Sequence, residues 1–220
     1  MSFGKRPLVK KNYFRFPTFF MAHPLVATEV TSFEELLQIE ALNAENLKPG
    51  LTAGEISQQG FVTWRYDIDL LQQLHTYAPS VICKSGSEVA GYALTTPRES
   101  AAVHPELSLM LDKINGLPYE GKPLREYSYY VMGQLCVAKP YRGRGVVEMM
   151  YGLHRDLYSS QYDMMVLTIS TENTRSVRVH ERFGFTDIHV YNDHFGAWKV
   201  CIWDWRNQSL KSSSNSNRSA

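Results

Sequence analysis

The stretch from Val131 to Tyr158, VMGQLCVAKPYRGRGVVEMMYGLHRDLY, most constrains what this chain can fold into. Its first eight residues are apolar and β-branched at intervals, which suits a buried strand. Pro140 has no amide hydrogen and cannot continue a ladder, so the strand ends before it. Gly143 and Gly145 follow, with Arg142 and Arg144 before and between them. Val146, Met149, Met150, Leu153 and Leu157 then recur at helical spacing. A second near-continuous apolar run, DMMVLTIS (Asp163 to Ser170), comes next. Two such strands joined by a helix predict parallel neighbours covered on both faces.

A glycine turn that opens a helix leaves the first amide N–H groups unpaired and pointing outward. The helix dipole adds partial positive charge, and two arginines add whole charges, so the position suits a phosphate or pyrophosphate. It is not a Walker loop, because no Gly-Lys-Ser/Thr follows. It is not the dinucleotide fingerprint, because the glycine spacing differs and no suitable acidic residue ends a following strand. Taken alone, the segment reads equally as a strand-to-helix turn with two solvated arginines.

Before this unit, LVATEV (Leu25 to Val30) fits a first strand. Ser32 and Glu35 form a capping box that opens a helix reaching Leu47, and Pro49-Gly50 ends it. A second helix is predicted over Asp67 to Tyr77, with Ile68, Leu71 and Leu74 as its apolar side. Trp64 and Tyr66, just ahead of it, either anchor the core or line a pocket, with core anchoring favoured. SVICKS and EVAGYALTT alternate and pair as a hairpin around Gly86-Ser87. The connection 97–126 holds a short helix, His104 to Ile114. A connection this long within a compact domain is usually functional, so it reads as a substrate wall or, alternatively, as a surface excursion or homodimer contact. After Ser170, TENTRSVRVHERFGF gives a short helix with Gly184 as a left-handed C-terminal cap. DIHVYN and AWKVCIWDW close the chain as a hairpin around DHFG. The pattern makes a single α/β (α+β) domain with a mixed central sheet.

Composition excludes several classes. Across 220 residues, 23 Lys+Arg against 22 Asp+Glu give a net charge of +1, so nothing favours nucleic acid or an anionic membrane. No apolar run approaches the roughly 20 residues of a spanning helix. Cys83, Cys136 and Cys201 are isolated in predicted strands and read as buried hydrophobes in a reducing, cytoplasmic compartment, not as disulfides or metal ligands. Residues 1–23 form a basic, aromatic extension without a secretory core. Residues 207–220 are polar and low in complexity, and are expected to be disordered.

The two motif regions together are more specific than either. Arg142 to Val147 resembles the acyl-CoA loop of the GCN5-related N-acetyltransferase (GNAT) family, whose pattern is Gln/Arg-x-x-Gly-x-Gly/Ala. Val147 departs from its last position. Val166 to Phe185, VLTISTENTRSVRVHERFGF, resembles the same family's next strand, Asn-containing loop and helix ending in Gly-Phe. The resemblance implies a GNAT-like domain over 24–206 with helices on both faces of the sheet. It implies acetyl-CoA as co-substrate, no metal, and transfer of an acyl group to a primary amine of a small molecule or peptide. It also implies cofactor contacts from Leu135, Cys136 and Val137 at a splay or bulge near Leu135 to Ala138, from Arg142, Gly143, Arg144, Gly145, Val146 and Val147, and from Asn173 and Ser176.

Such a transfer has three needs. A donor must meet the developing oxyanion, and backbone N–H groups near the splay would serve. The amine must lose a proton. No base is evident, since Val131 stands where some members keep a glutamate, and Glu126, Tyr127, Tyr129 and Tyr130 lie upstream without a motif. The leaving thiolate benefits from an acid. His180 is the candidate, standing where the family usually has tyrosine and sharing one helix face with Asn173, Ser176 and Val177. Its other reading is a half-buried histidine satisfied by a neighbour. A catalytically silent CoA-binding sensor or interaction module is the competing function.

Overall fold

The computed structural model describes residues 23–206. The expectations for residues 1–22 and for the 207–220 tail therefore lie outside the described residues. In chain order the elements are β1 (Leu25–Glu29), α1 (Phe33–Glu45), α2 (Ala53–Gln59), α3 (Ile68–His75), β2 (Val81–Ser85) and β3 (Glu88–Pro97). Then come α4 (Pro105–Ile114), the two-residue strands β4 (Pro118–Tyr119) and β5 (Lys122–Pro123), and β6 (Tyr129–Val137). The chain continues through α5 (Val146–Tyr158), β7 (Met164–Ser170), α6 (Thr174–Arg182), β8 (Thr186–Asp193) and β9 (Gly196–Asp204).

Seven strands form one mixed sheet in the order β1-β2-β3-β6-β7-β9-β8, with β4 and β5 paired apart. Among the described strands of this sheet only β6 and β7 pair in parallel, and α5 crosses between them. Strand alternation divides the core. Tyr130 and Met132 of β6, with Met165, Leu167 and Ile169 of β7, pack under α5 through Val146, Met150 and Tyr151. Tyr129 and Val131, with Met164 and Val166, face the other way against Leu107, Met110 and Ile114 of α4. Leu36, Ile39 and Leu42 of α1 cover the neighbouring half of that face. Both central strands are thus buried on two sides, as their unbroken apolar content requires.

The local signals produce the expected termini. Ser32 Oγ accepts from Glu35 N at 3.3 Å, and Glu35 accepts from Ser32 N at 3.2 Å. Asp67 caps α3 by accepting from Leu70 N at 3.0 Å. α2 is absent from the sequence reading, although Thr52 and Glu55 form the same reciprocal capping box at its start. The connection 97–126 is built around α4, whose inner side is fully part of the core.

Candidate functional site

β6 and β7 pair only from Tyr129↔Met164 to Val131↔Val166 and then part. On its other side β6 carries one extra residue against β3: Ala93 faces Leu135 and Thr95 faces Met132, leaving Gly133 and Gln134 opposite Leu94. A bulge of this kind bends its strand, and here it turns β6 away from β7. The opening begins at Met132, and the bulge at Gly133 and Gln134 directly precedes the Leu135–Ala138 region near which the sequence places it. Gly133 permits it, because a Cβ there would come within 3.0 Å of both Thr96 Cγ2 and the Tyr66 hydroxyl. Gln134 fixes it: its Oε1 accepts from Asn43 Nδ2 and from the Tyr92 hydroxyl, each at 2.6 Å, and its Nε2 donates to Trp64 O at 3.0 Å.

Beyond the parting, the edge of β6 that faces β7 has backbone groups without a ladder partner. Along it opens a cleft of about 280 Å³, walled by Leu135, Cys136 and Val137, by the turn into α5, and by Gln59 to Val62. A narrower space of about 70 Å³ continues between the strands past Gly133, Gln134, Ser170 and His180. A third cavity, about 270 Å³, lies between α4 and the β8–β9 turn. Trp64 stands in the wall of both the second and the third.

The turn into α5 has the geometry an anion needs. Gly143 and Gly145 take left-handed φ values of +74° and +79°, which side chains resist. Gly145 is the N-cap of α5 and supplies no side-chain cap, so the first amides of the helix are open. Gly143, Gly145, Val146 and Val147 all line the cleft. So do Arg175 and Arg182, which the sequence reading missed. Their spacing with Val179, i, i+4 and i+7, already places the three on one helix face.

Other predicted residues serve differently from expectation. Arg142 lines the cleft, but its Nε donates to Val137 O at 2.9 Å, Nη1 to Gln59 Oε1 at 2.6 Å and Nη2 to Asn46 Oδ1 at 2.8 Å. It braces the cleft walls instead of offering a free fork. Arg144 is exposed, with its guanidinium 5.4 Å from the centroid of the Tyr141 ring, and is not among the lining residues. Asn173 lines the cleft as the N-cap of α6: its Oδ1 accepts from Ser176 N at 3.2 Å, and its Nδ2 donates to Phe61 O at 2.8 Å. Both ends of its amide are therefore engaged. Ser176 lies in the walls of the cleft and of the narrow space.

The acid role expected of His180 does not fit its surroundings. The ring is 2% exposed, with Nε2 2.6 Å from the Tyr151 hydroxyl and Nδ1 2.7 Å from Ser176 O. The carbonyl can only accept, so Nδ1 carries the hydrogen and Nε2 accepts from the tyrosine. Burial pushes the ring's pKa down to about 4, against a smaller opposing pull from the Ser176 carbonyl. A neutral imidazole with both nitrogens engaged is a packing and orienting group. Cys136 is equally inert, since burial pushes its thiol up to about 12.

Among the described residues, no carboxylate lines the narrow space. Tyr127, Tyr129 and Tyr130 are core residues whose hydroxyls meet Tyr119 O, Asn115 and His154. A pair that the sequence did not suggest lies behind the bulge: Tyr66 hydroxyl and His104 Nε2 are 3.0 Å apart, both buried. Among the described residues, no group of His, Cys, Asp and Glu is placed to hold a metal.

The sequence matches the family model described as the acetyltransferase (GNAT) family over residues 55–185. Among curated proteins, none matches. Solved structures share the fold at low identity. A chain of the NatC complex bound to Gag peptide and CoA is 16% identical, with 82% of this chain and 98% of that chain covered, at a TM-score of 0.55. Naa50 of Arabidopsis thaliana, solved with the bisubstrate analogue CoA-Ac-MVNAL, is 15% identical over 82% and 99%, at 0.53. YncA of Salmonella typhimurium, solved with acetyl-CoA, is 14% identical over 83% and 95%, at 0.54. At these identities the likeness is one of fold. The family match spans more than half of the 220 residues, and the chain belongs to the GNAT acetyltransferase family.

Proposed function

We propose that this protein is a CoA-dependent N-acyltransferase that moves an acetyl group from acetyl-CoA to a primary amine of a small molecule or peptide. The observation that carries it is the parting of β6 from β7 immediately after Val131, in line with a helix opened by Gly145. The open amides at the start of α5 take the pyrophosphate, with Arg175 and Arg182 adding charge from α6. Glu148 also lines this end of the cleft and opposes them. The pantetheine arm lies along the unpartnered edge of β6, beside Leu135, Cys136 and Val137. Its thioester carbonyl reaches the bulge, where backbone N–H groups meet the oxyanion.

Proton handling falls to weaker groups. A thiolate whose parent pKa is near ~8.5 is a tolerable leaving group without a dedicated acid. An amine of pKa near ~10.4 is almost wholly protonated at neutral pH, so its deprotonation sets the demand for a base. The three buried free cysteines support a reducing compartment, and we place the protein in the cytoplasm. Among the described residues, no helix is long and apolar enough to cross a membrane.

A silent CoA-binding module is the second reading, favoured by the sealed His180 and by the lack of a carboxylate in the narrow space. Release of CoA thiol from acetyl-CoA across an amine panel separates the two. Turnover with any amine supports transfer. Tight CoA binding with no thiol release from any amine leaves the silent module.

A further inference from the structure

We infer that the third cavity, between α4 and the β8–β9 turn, is the acceptor site, and that it takes an amine cation carrying one bulky apolar group. The inference rests on the acyl-transfer reading, because the cavity matters only if an acceptor must reach the thioester.

Position is the first support. Trp64 forms a wall of this cavity and of the narrow space between β6 and β7. A molecule seated against Trp64 is therefore one side chain away from the narrow space that Gly133 and Gln134 line. Trp64 is itself held from behind: its ring packs edge-on to His104 at 5.2 Å and tilted to Trp198 at 6.3 Å.

The walls give the chemistry. Leu109, Met110, Tyr191 and Phe195 make most of the lining apolar. Leu109 and Phe195 are 56% and 42% exposed, two large apolar side chains left uncovered at this one place. At about 270 Å³ the cavity is small for a ligand site, fitting one side-chain-sized body.

Charge supplies the other half. Glu106 and Asp193 are carboxylates in the lining, against one ammonium, Lys113, which sits 5.5 Å from the centroid of the Tyr191 ring. The balance is negative and suits a cation while disfavouring acidic acceptors. The two carboxylates have different surroundings. Glu106 Oε2 lies 3.3 Å from His104 Nδ1 in the first turn of α4. Asp193 Oδ1 accepts from Phe195 N and Trp198 Nε1, each at 2.8 Å, which leaves its second oxygen for other partners. Trp64 adds an aromatic face of the kind that attracts ammonium groups.

Two sources present this chemistry: a free arylalkyl or branched alkyl monoamine, and a peptide whose first residue has a bulky apolar side chain. Thiol release would be followed with phenethylamine and isoamylamine, with peptides beginning in Leu or Phe, and with ethanolamine and spermidine as polar controls. The apolar amines are expected to exceed the controls in kcat/KM by roughly tenfold or more. The free-amine and peptide arms then identify the source. Leu109→Asp, at an exposed position, and Glu106→Gln should each raise KM for the preferred amine roughly tenfold and leave CoA affinity unchanged. Polar controls that match or exceed the apolar amines would overturn the inference while acyl transfer stands. If no amine releases thiol, acyl transfer falls, and calorimetric titration of CoA-loaded protein with phenethylamine judges the cavity. Binding weakened by Glu106→Gln supports the site, and the absence of binding overturns it.

Discussion

Arg142 shows how one residue can match a motif and still do something else. Its three nitrogens join the end of β6 to the wall formed by Asn46 and Gln59, so its removal leaves acceptors unpaired around the cleft. Arg142→Ala should lower unfolding free energy by on the order of 2–4 kcal/mol, as measured by urea titration, and weaken CoA binding secondarily. Arg175 is exposed, and Arg175→Glu should leave stability nearly unchanged while weakening CoA roughly tenfold, an effect that shrinks with added salt. Equal stability losses in the two variants would contradict this division of labour. His180 supplies a second contrast. With its pKa near 4 it stays neutral across the working range, so kcat should show no limb between pH 6 and 9 that belongs to this ring. A limb in that interval that vanishes in His180→Gln would return the histidine to an acid role.

At the scale of elements, legibility followed the locality of the signal. Proline, the glycine pair and helical periodicity sit next to one another in sequence, so β6, the turn and α5 could be read directly. The capping boxes at Ser32 and Thr52 are equally local, and α2 was missed only because its own box went unread. The start of the opening was not legible, because it depends on Gly133 meeting Thr96 and Tyr66 and on Gln134 reaching Asn43, 91 residues away. Arg142, Asn173 and His180 were legible as positions and not as roles, since their partners come from distant segments. Gly133→Ala tests the bulge: the added methyl meets atoms at 3.0 Å and should cost about 1–3 kcal/mol of stability, read from the denaturation midpoint. The connection 97–126 is bound into the core in the same long-range way. Leu107, Met110, Leu111 and Ile114 are buried, so shortening the segment would open the core, whereas Leu109→Asp alters only the outer side.

For the whole molecule, three buried histidines, His104, His154 and His180, set the response to acid, and burial lowers the pKa of each. His154 bonds the Tyr130 hydroxyl at 2.9 Å and lies 3.2 Å from Ala93 O, and burial pushes its pKa down to about 4, as it does for His180. Both values lie below the unfolded value near 6.5, so the unfolded chain binds more protons between the two. Their contribution is fully present above about pH 6.5 and is lost as pH falls toward 4, at about 1.4 kcal/mol per histidine per pH unit. Unfolding free energy measured from pH 7 to 4.5 should fall at least that steeply, and His154→Gln should remove one histidine's share, about 1.4 kcal/mol per pH unit. No such change in slope would mean that His154 is solvated in the folded protein. The parting of the two central strands has a kinetic corollary. It leaves the larger cleft and the narrow space side by side, with Phe61, Val62, Leu135, Asn173 and Ser176 in the walls of both. The one thiol in the cleft wall, Cys136, is held protonated with a pKa near 12 and is unsuited to storing the acyl group between two half-reactions. On the acyl-transfer reading, both reactants would then occupy the protein before either product leaves. Double-reciprocal plots at several fixed amine concentrations should therefore intersect, and parallel lines would show that some other residue carries the acyl group in between.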